Sequence, residues 1–241
     1  MDAGQFEQVY IRTGVTEAEL VAFADAAACM YLPYDETLGV YAQDDAFLRK
    51  ARLELSAIPK ANFPLLLHYH PLFLYRHQVL KQADAVLAHF LYEEGVSEED
   101  MRRTYDYYEP ITTHDSSLSP CVYGIMAARL GDMEKALSYF QMTARMDLDD
   151  THGNTADGLH TANLGGVYLG LVMGFAGLRI HKEGVSLRPQ VPAGMDGYAF
   201  SFLVEESRVR CEVGQAGCVL TLLEGPPVEV LVDGKPVKVR R

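Results

Sequence analysis

Three short segments concentrate residues that could do chemistry. Tyr107 to Pro120, YYEPITTHDSSLSP, sets a glutamate, a histidine, an aspartate and three serines in a stretch without helical or strand periodicity, directly before the helix-like run CVYGIMAARLGDMEKALSYF. The free N–H groups at a helix start and the positive end of its dipole suit an anion, and serine hydroxyls and a histidine add donors for phosphate oxygens. The plainer expectation is a cap, with Ser117 or Ser119 at the N-cap and Pro120 in the first turn. A cap needs one serine and leaves His114, Asp115 and Ser116 without a role. Lys81 to Asp84, KQAD, places an ammonium beside an amide, a pair able to hold a sugar hydroxyl and an anion; a solvated helix start is the alternative. Met146 to His160, MDLDDTHGNTADGLH, carries four aspartates, two histidines and an asparagine in a glycine-bearing loop. Carboxylates and imidazoles ligate metals, but no spacing here matches an EF-hand or an HExxH helix. A polar loop lining a pocket, with His152 foremost, is the expectation.

The elements that must position these segments can be read from periodicity and punctuation. Thr16 and Glu19 have capping-box spacing before a run of helix formers. The stretch YLPYDETLGVYAQDDAFL reads as a loop with a short extended piece. A long helical pattern, PLFLYRHQVLKQADAVLAHFLYEEG, breaks near Gln82 and stops at Gly95. Ser97 and Asp100 cap another helix, and two more flank Leu130 to Asp132. The last helix, about residues 157–174, is so apolar and glycine-rich that burial on most sides is expected. Near Leu178 the pattern changes to short alternating runs, with Asp233 to Lys235 as a hairpin turn. This predicts a mainly α protein with a C-terminal β unit, helices over residues 1–178 and a small antiparallel β-sheet domain over residues 179–241.

Composition narrows the function classes. The chain has 241 residues, 49% hydrophobic and 22% charged, with a formal net charge of −12. That charge argues against nucleic acid or an anionic membrane as the main partner. Cys29, Cys121, Cys211 and Cys218 form no CxxC pair, so reduced thiols and a cytoplasmic location are expected. The N-terminal residues lack a signal-peptide pattern.

Longer motifs carry a resemblance. KQADAVLAHFL, YYEPITTHDSSLSP, AARLGDMEKALSYF, ARMDLDDTHGNTADGLHTANLGGVYLGLVMGFAGLRI and VSLRPQVPAGMDGYAFSF, together with MYLPYDETLGVYAQDD, resemble the C-terminal part of family 65 glycoside hydrolases. These are inverting disaccharide phosphorylases acting on maltose, kojibiose, nigerose or trehalose, with some acid trehalases. The resemblance implies part of an (α/α)6 toroid followed by a small β-sheet domain. It implies attack by inorganic phosphate on an α-linked glucose disaccharide, releasing β-glucose 1-phosphate and glucose, with no metal or organic cofactor. An inverting hydrolase would need a second carboxylate to activate water; phosphate makes that base unnecessary.

By the same resemblance, Lys81 and Gln82 match the sugar-binding pair and Ser116 and Ser117 the phosphate-side serines. His152 matches a histidine near phosphate, and His114 stands behind the serines. The family's general acid lies in a motif resembling GPDEYH, which this sequence lacks, and neither Glu36 nor Glu109 occupies it. The expectation is a fragment, split subunit or degenerate paralogue, inactive alone. A complementing N-terminal segment or self-association would then cover its apolar surface. A non-catalytic carbohydrate- or phosphate-binding or assembly module, or part of an acid trehalase-like hydrolase, is the alternative.

Overall fold

The computed structural model describes residues 9–181 and 184–240. Helix α1 (Glu17–Ala28) opens with the expected capping box: the Glu19 amide donates to Thr16 Oγ1 at 3.3 Å and the Thr16 amide to Glu19 Oε2 at 2.8 Å. None of its residues is buried. A short hairpin follows, β1 (Tyr34–Asp35) and β2 (Val40–Tyr41).

The long helical pattern after Pro71 is broken more widely than its periodicity suggests. It divides into α2 (Pro71–Tyr75), an extended stretch, and α3 (Asp84–Leu91). Within the stretch, β4 (His77–Gln78) pairs with β3 (Ala51–Arg52). The Leu80 amide then donates to Ile111 O at 2.9 Å, and the Thr113 amide donates to Leu80 O at 2.8 Å. These long-range bonds outweigh helix propensity, which is a weak prior. They also lay the KQAD segment beside the TTHDSS segment.

Four further helices complete this part. α4 (Glu98–Tyr108) is capped by Ser97, whose Oγ accepts from the Asp100 amide. α5 (Ser119–Arg129) is the central helix, with ten of its eleven residues buried, and α6 (Met133–Arg145) starts at an Asp132 cap. α7 (Thr161–Leu169) runs on as a π-helical segment, Gly170–Phe175. The expectation of burial on most sides fails for α7, where only Asn163 and Gly166 are buried and Leu164 and Tyr168 are 50% and 54% exposed. The all-round buried helix is α5. The glycines of α7 serve close approach instead: a Cβ on Gly166 would stand 2.9 Å from Cys121 Cβ. Among the described residues no helix is long and apolar enough to cross a membrane.

The C-terminal part holds two sheets. β7 (Gly197–Val204), β8 (Ser207–Gly214) and β9 (Gly217–Glu224) form an antiparallel meander, and β8 alternates strictly between buried Ser207, Val209, Cys211 and Val213 and exposed Arg208, Arg210 and Glu212. The other sheet runs β11 (Lys235–Val239), β10 (Val228–Val232), β6 (Gly184–Leu187), β5 (Arg179–His181). Its β10–β11 and β5–β6 pairs are antiparallel, as expected, while β6 and β10 run parallel. The whole meander lies between those two strands and supplies the long crossover that a parallel pair requires. The Asp233–Gly234 turn, with φ of +49° and +74°, closes the expected β10–β11 hairpin. Cys211 and Cys218 are free thiols with sulfurs 3.4 Å apart across β8 and β9, and Cys29 is exposed.

Gly177 and Arg179 help join helices to sheets. Gly177, at φ +58°, turns the chain out of the π segment, and a Cβ there would meet Arg188 O at 2.9 Å. Arg179 on β5 donates to both Glu93 oxygens, at 2.9 and 2.6 Å, and to Met173 O at 2.6 Å and Leu178 O at 2.9 Å. Its guanidinium lies over the Phe90 ring.

Candidate active site

A cavity of about 760 Å³ opens on the helical part. Its polar lining includes Gln43, Asp44, Lys50, Lys81, Asp115 and His152, and its apolar wall comes from the Leu65–Leu67 turn, Leu74 and Tyr75. The mixture of an apolar wall with a few convergent polar groups is the usual form of a small-molecule site.

Lys81, exposed in the extended stretch before α3, lines the cavity; Gln82, its exposed neighbour, is not among the lining residues. His152 lines it from the 147–160 loop, together with Gly153 and Asn154. That loop is tied at its ends by Asp147, which accepts from the His160 amide at 2.9 Å and meets His160 Nδ1 at 2.5 Å. The His160 hydrogen bonds hold the Asp147 carboxyl below its usual range. Among the described residues its aspartates and histidines do not converge into a group that could hold a metal ion.

The HDSSLS segment is arranged differently from a simple capped helix start. Leu118 is the N-cap of α5 and makes no side-chain cap bond, Ser119 is its first helical residue, and Pro120 sits in the first turn. The expectation that Ser117 or Ser119 caps α5 is therefore corrected: Ser119 Oγ turns to His114 Nδ1, at 2.9 Å. Nor is the helix mouth open, since Ser119 is 1% exposed and Pro120 is buried. Thr113 and Asp115 line the cavity, whereas Ser116, buried, and Ser117, half-buried, are not among its lining residues. Asp115 Oδ2 accepts from the Leu65 amide at 2.9 Å, so the same segment anchors the apolar wall.

His114 has a left-handed backbone, φ +57°, and its ring lies between Tyr123 and Tyr139, each with its centroid 5.0 Å away. Burial pushes its pKa down to about 4, against the opposing pull of Glu109 and Asp115. It is neutral at ordinary pH.

Three polar lining residues were not singled out as site residues, although Gln43 and Asp44 lie in the resembling segment MYLPYDETLGVYAQDD. Gln43, Asp44 and Lys50 come from the loop after β2, where Lys50 Nζ lies 3.0 Å from Asp44 Oδ2 and Gln43 Nε2 donates to Asp84 Oδ2 at 2.9 Å. Burial alone would raise the Asp44 carboxyl, but hydrogen bonds from Lys50 and the Ala46 amide outweigh it and hold it low. The loop is pinned by buried Gln78, whose Nε2 donates to Leu48 O at 3.1 Å and Lys50 O at 2.8 Å while Oε1 accepts from Tyr107 OH at 2.6 Å. Gln78→Leu strands two carbonyls and a phenol, and is expected to cost about 1–3 kcal/mol in urea unfolding. A midpoint equal to that of the unaltered chain would show that the loop does not depend on Gln78.

Comparison with known proteins accords with this architecture. Residues 2–169 match the glycosyl hydrolase family 65 central catalytic domain, and residues 178–239 match the family's C-terminal domain. The chain is 51% identical over 221 residues to the alpha,alpha-trehalose phosphorylase of Geobacillus stearothermophilus, covering 92% of this chain and 29% of that protein. It is 34% identical to the maltose phosphorylase of Bacillus subtilis (strain 168), over 92% of this chain and 30% of that one. A solved structure, "Putative kojibiose phosphorylase from human microbiome", superposes with a TM-score of 0.87 at 28% identity, covering 96% of this chain and 32% of its own. The chain thus spans about 30% of the length of the curated relatives it matches. Its helices are part of a toroid and its sheets the β unit that follows: the chain belongs to glycosyl hydrolase family 65.

Proposed function

We propose that this chain supplies the sugar- and phosphate-binding side of an inverting α-glucoside phosphorylase, converting a disaccharide and phosphate to β-glucose 1-phosphate and glucose. The observation that carries the reading is that Lys81, Thr113, Asp115 and His152, from three separate stretches of the sequence, line one cavity in a family 65 chain. Lys81 and Gln82 hold the sugar. Ser116, Ser117 and His152 hold phosphate, with His114 behind the serines. Fixed donors of this kind align the dianion with the anomeric carbon. No metal or organic cofactor enters the scheme. Four free thiols suit a cytoplasmic setting.

The general acid comes from a complementing N-terminal segment of the family. Exposed Phe23, Leu67, Tyr75, Leu164 and Tyr168 are the apolar surface it would cover. Trehalose is the first substrate to try, given the 51% identity to a trehalose phosphorylase.

The test is phosphorolysis of trehalose, maltose and kojibiose by the chain alone and with the N-terminal remainder of a related trehalose phosphorylase, assaying glucose 1-phosphate. Activity is expected only with the added segment, since loss of a general acid costs about 10²–10⁴-fold. Ser116→Ala with Ser117→Ala should then lower phosphate-dependent turnover about a hundredfold or more. Unchanged turnover in that double variant sinks the phosphate assignment. No product under any condition favours a non-catalytic binding module.

A further inference from the structure

Around His114 runs a partly buried chain of polar groups, of which the reading above leaves Glu109, Tyr139 and Ser119 unused. Tyr139 OH donates to Glu109 Oε1 at 2.8 Å and stands 3.1 Å from His114 Nε2; His114 Nδ1 stands 2.9 Å from Ser119 Oγ. Tyr139 is 7% exposed and Ser119 1%. Lys135 Nζ lies 3.2 Å from the same Glu109 oxygen.

The order of donors follows from the proton count. A carboxylate only accepts and a phenol has one proton to give. Tyr139 spends it on Glu109, so its oxygen must accept from His114 Nε2–H. A neutral imidazole has a single N–H. Nδ1 is therefore bare and accepts from the Ser119 hydroxyl. Each group's direction is set by the one before it, starting from Glu109.

We infer that Glu109 and Tyr139 are positioning residues: through this one-way chain they fix His114 as its Nε2–H tautomer and orient Ser119, and so hold the 114–119 turn that presents Ser116 and Ser117. The functional half of this inference rests on the phosphate reading above; the hydrogen-bond order does not. The turn needs such support because His114 holds a left-handed backbone, which is strained for a residue other than glycine. It is closed locally by the Ser119 amide donating to Ser116 O at 3.1 Å.

The ring nitrogens of His114 in the 241-residue chain, labelled with ¹⁵N-histidine, report the tautomer by long-range proton–nitrogen correlation near pH 7. The expected result is Nε2–H. Tyr139→Phe removes the only acceptor facing Nε2 in the chain of bonds and is expected to move population toward Nδ1–H. Tyr123→Phe is the control. Its hydroxyl pairs with Thr112 Oγ1 at 2.8 Å in the same buried region, and its loss should leave the tautomer unchanged. If Tyr139→Phe does not fold, Glu109→Gln serves: its amide can donate to Tyr139 and should give both tautomers. In a ³¹P titration with inorganic phosphate, Tyr139→Phe should weaken binding about tenfold and Tyr123→Phe should not.

An Nδ1–H wild type, or spectra unmoved by the Tyr139 and Glu109 changes, overturns the hydrogen-bond order. The expected spectra with phosphate affinity unchanged in Tyr139→Phe overturn the positioning role. A wild-type chain with the expected spectra but no phosphate binding sinks the phosphate reading and leaves the bond order supported.

Discussion

Acidification from pH 6.5 to below pH 4 is expected to cost the folded chain about 3 kcal/mol through His114 alone. The sign follows from where the proton binds. Burial lowers the folded-state pKa from 6.5 to about 4, so between those values the unfolded chain takes up a proton that the folded chain refuses. Stability therefore falls as pH drops through this window, and the loss is complete below the folded value. Glu109 and Asp115 favour the charged ring and limit the effect, and the Tyr123 and Tyr139 rings that enclose it supply no charge to reverse it. His114→Asn is the matching variant, because asparagine tolerates a left-handed backbone and does not titrate. Urea unfolding across pH 7.5–3.5, about a unit beyond the window at the top and half a unit at the bottom, should show the variant losing this component. Parallel pH profiles for the two chains would place the depressed histidine elsewhere.

A comparable loss, about 3–5 kcal/mol, is expected from Glu93→Ala. Glu93 and Arg179 have side chains only 16% and 12% exposed, and their two hydrogen bonds join the turn after α3 to β5. Removing the carboxylate leaves a guanidinium with little access to water. Its remaining bonds to Met173 O and Leu178 O cannot neutralise it. Arg129, 3.6 Å from Glu93 and 3.0 Å from Glu98, loses its second partner as well. Replacing both members by leucine should recover much of the loss, because a buried pair is often no better than well-packed apolar groups. Chemical denaturation of both variants checks this. A double variant as unstable as Glu93→Ala would mean that the pair's worth lies in geometry leucine cannot supply.

What could be read from the sequence tracks where the determinants are local. The Thr16–Glu19 box, the Ser97 cap and the Asp233–Gly234 hairpin each depend on residues within four positions of one another, and each is found. The alternation in β8 was legible because one face of that strand meets a core. The stretch 77–80 was not legible as extended, because its partner strand and carbonyls lie near residues 51 and 111. The exposure of α7 also escaped periodicity, which reports a face suited to burial and not whether anything covers it. At the site, Lys81 and His152 stood out by residue type and by the resemblance. Asp44 and Lys50 looked like ordinary loop charges, and only the cavity gives them a place.

The π segment after α7 has a consequence for how this chain comes apart. Phe175 packs into the helical core, while Val172 and Ala176, three residues before it and one after, pack into the sheet core. One stretch of backbone thus serves as a wall of both cores. Neither can melt without unwinding it, and its unwinding removes side chains from both at once. The helical part and the sheets are therefore thermodynamically one unit, and heat or denaturant should take them in a single cooperative step.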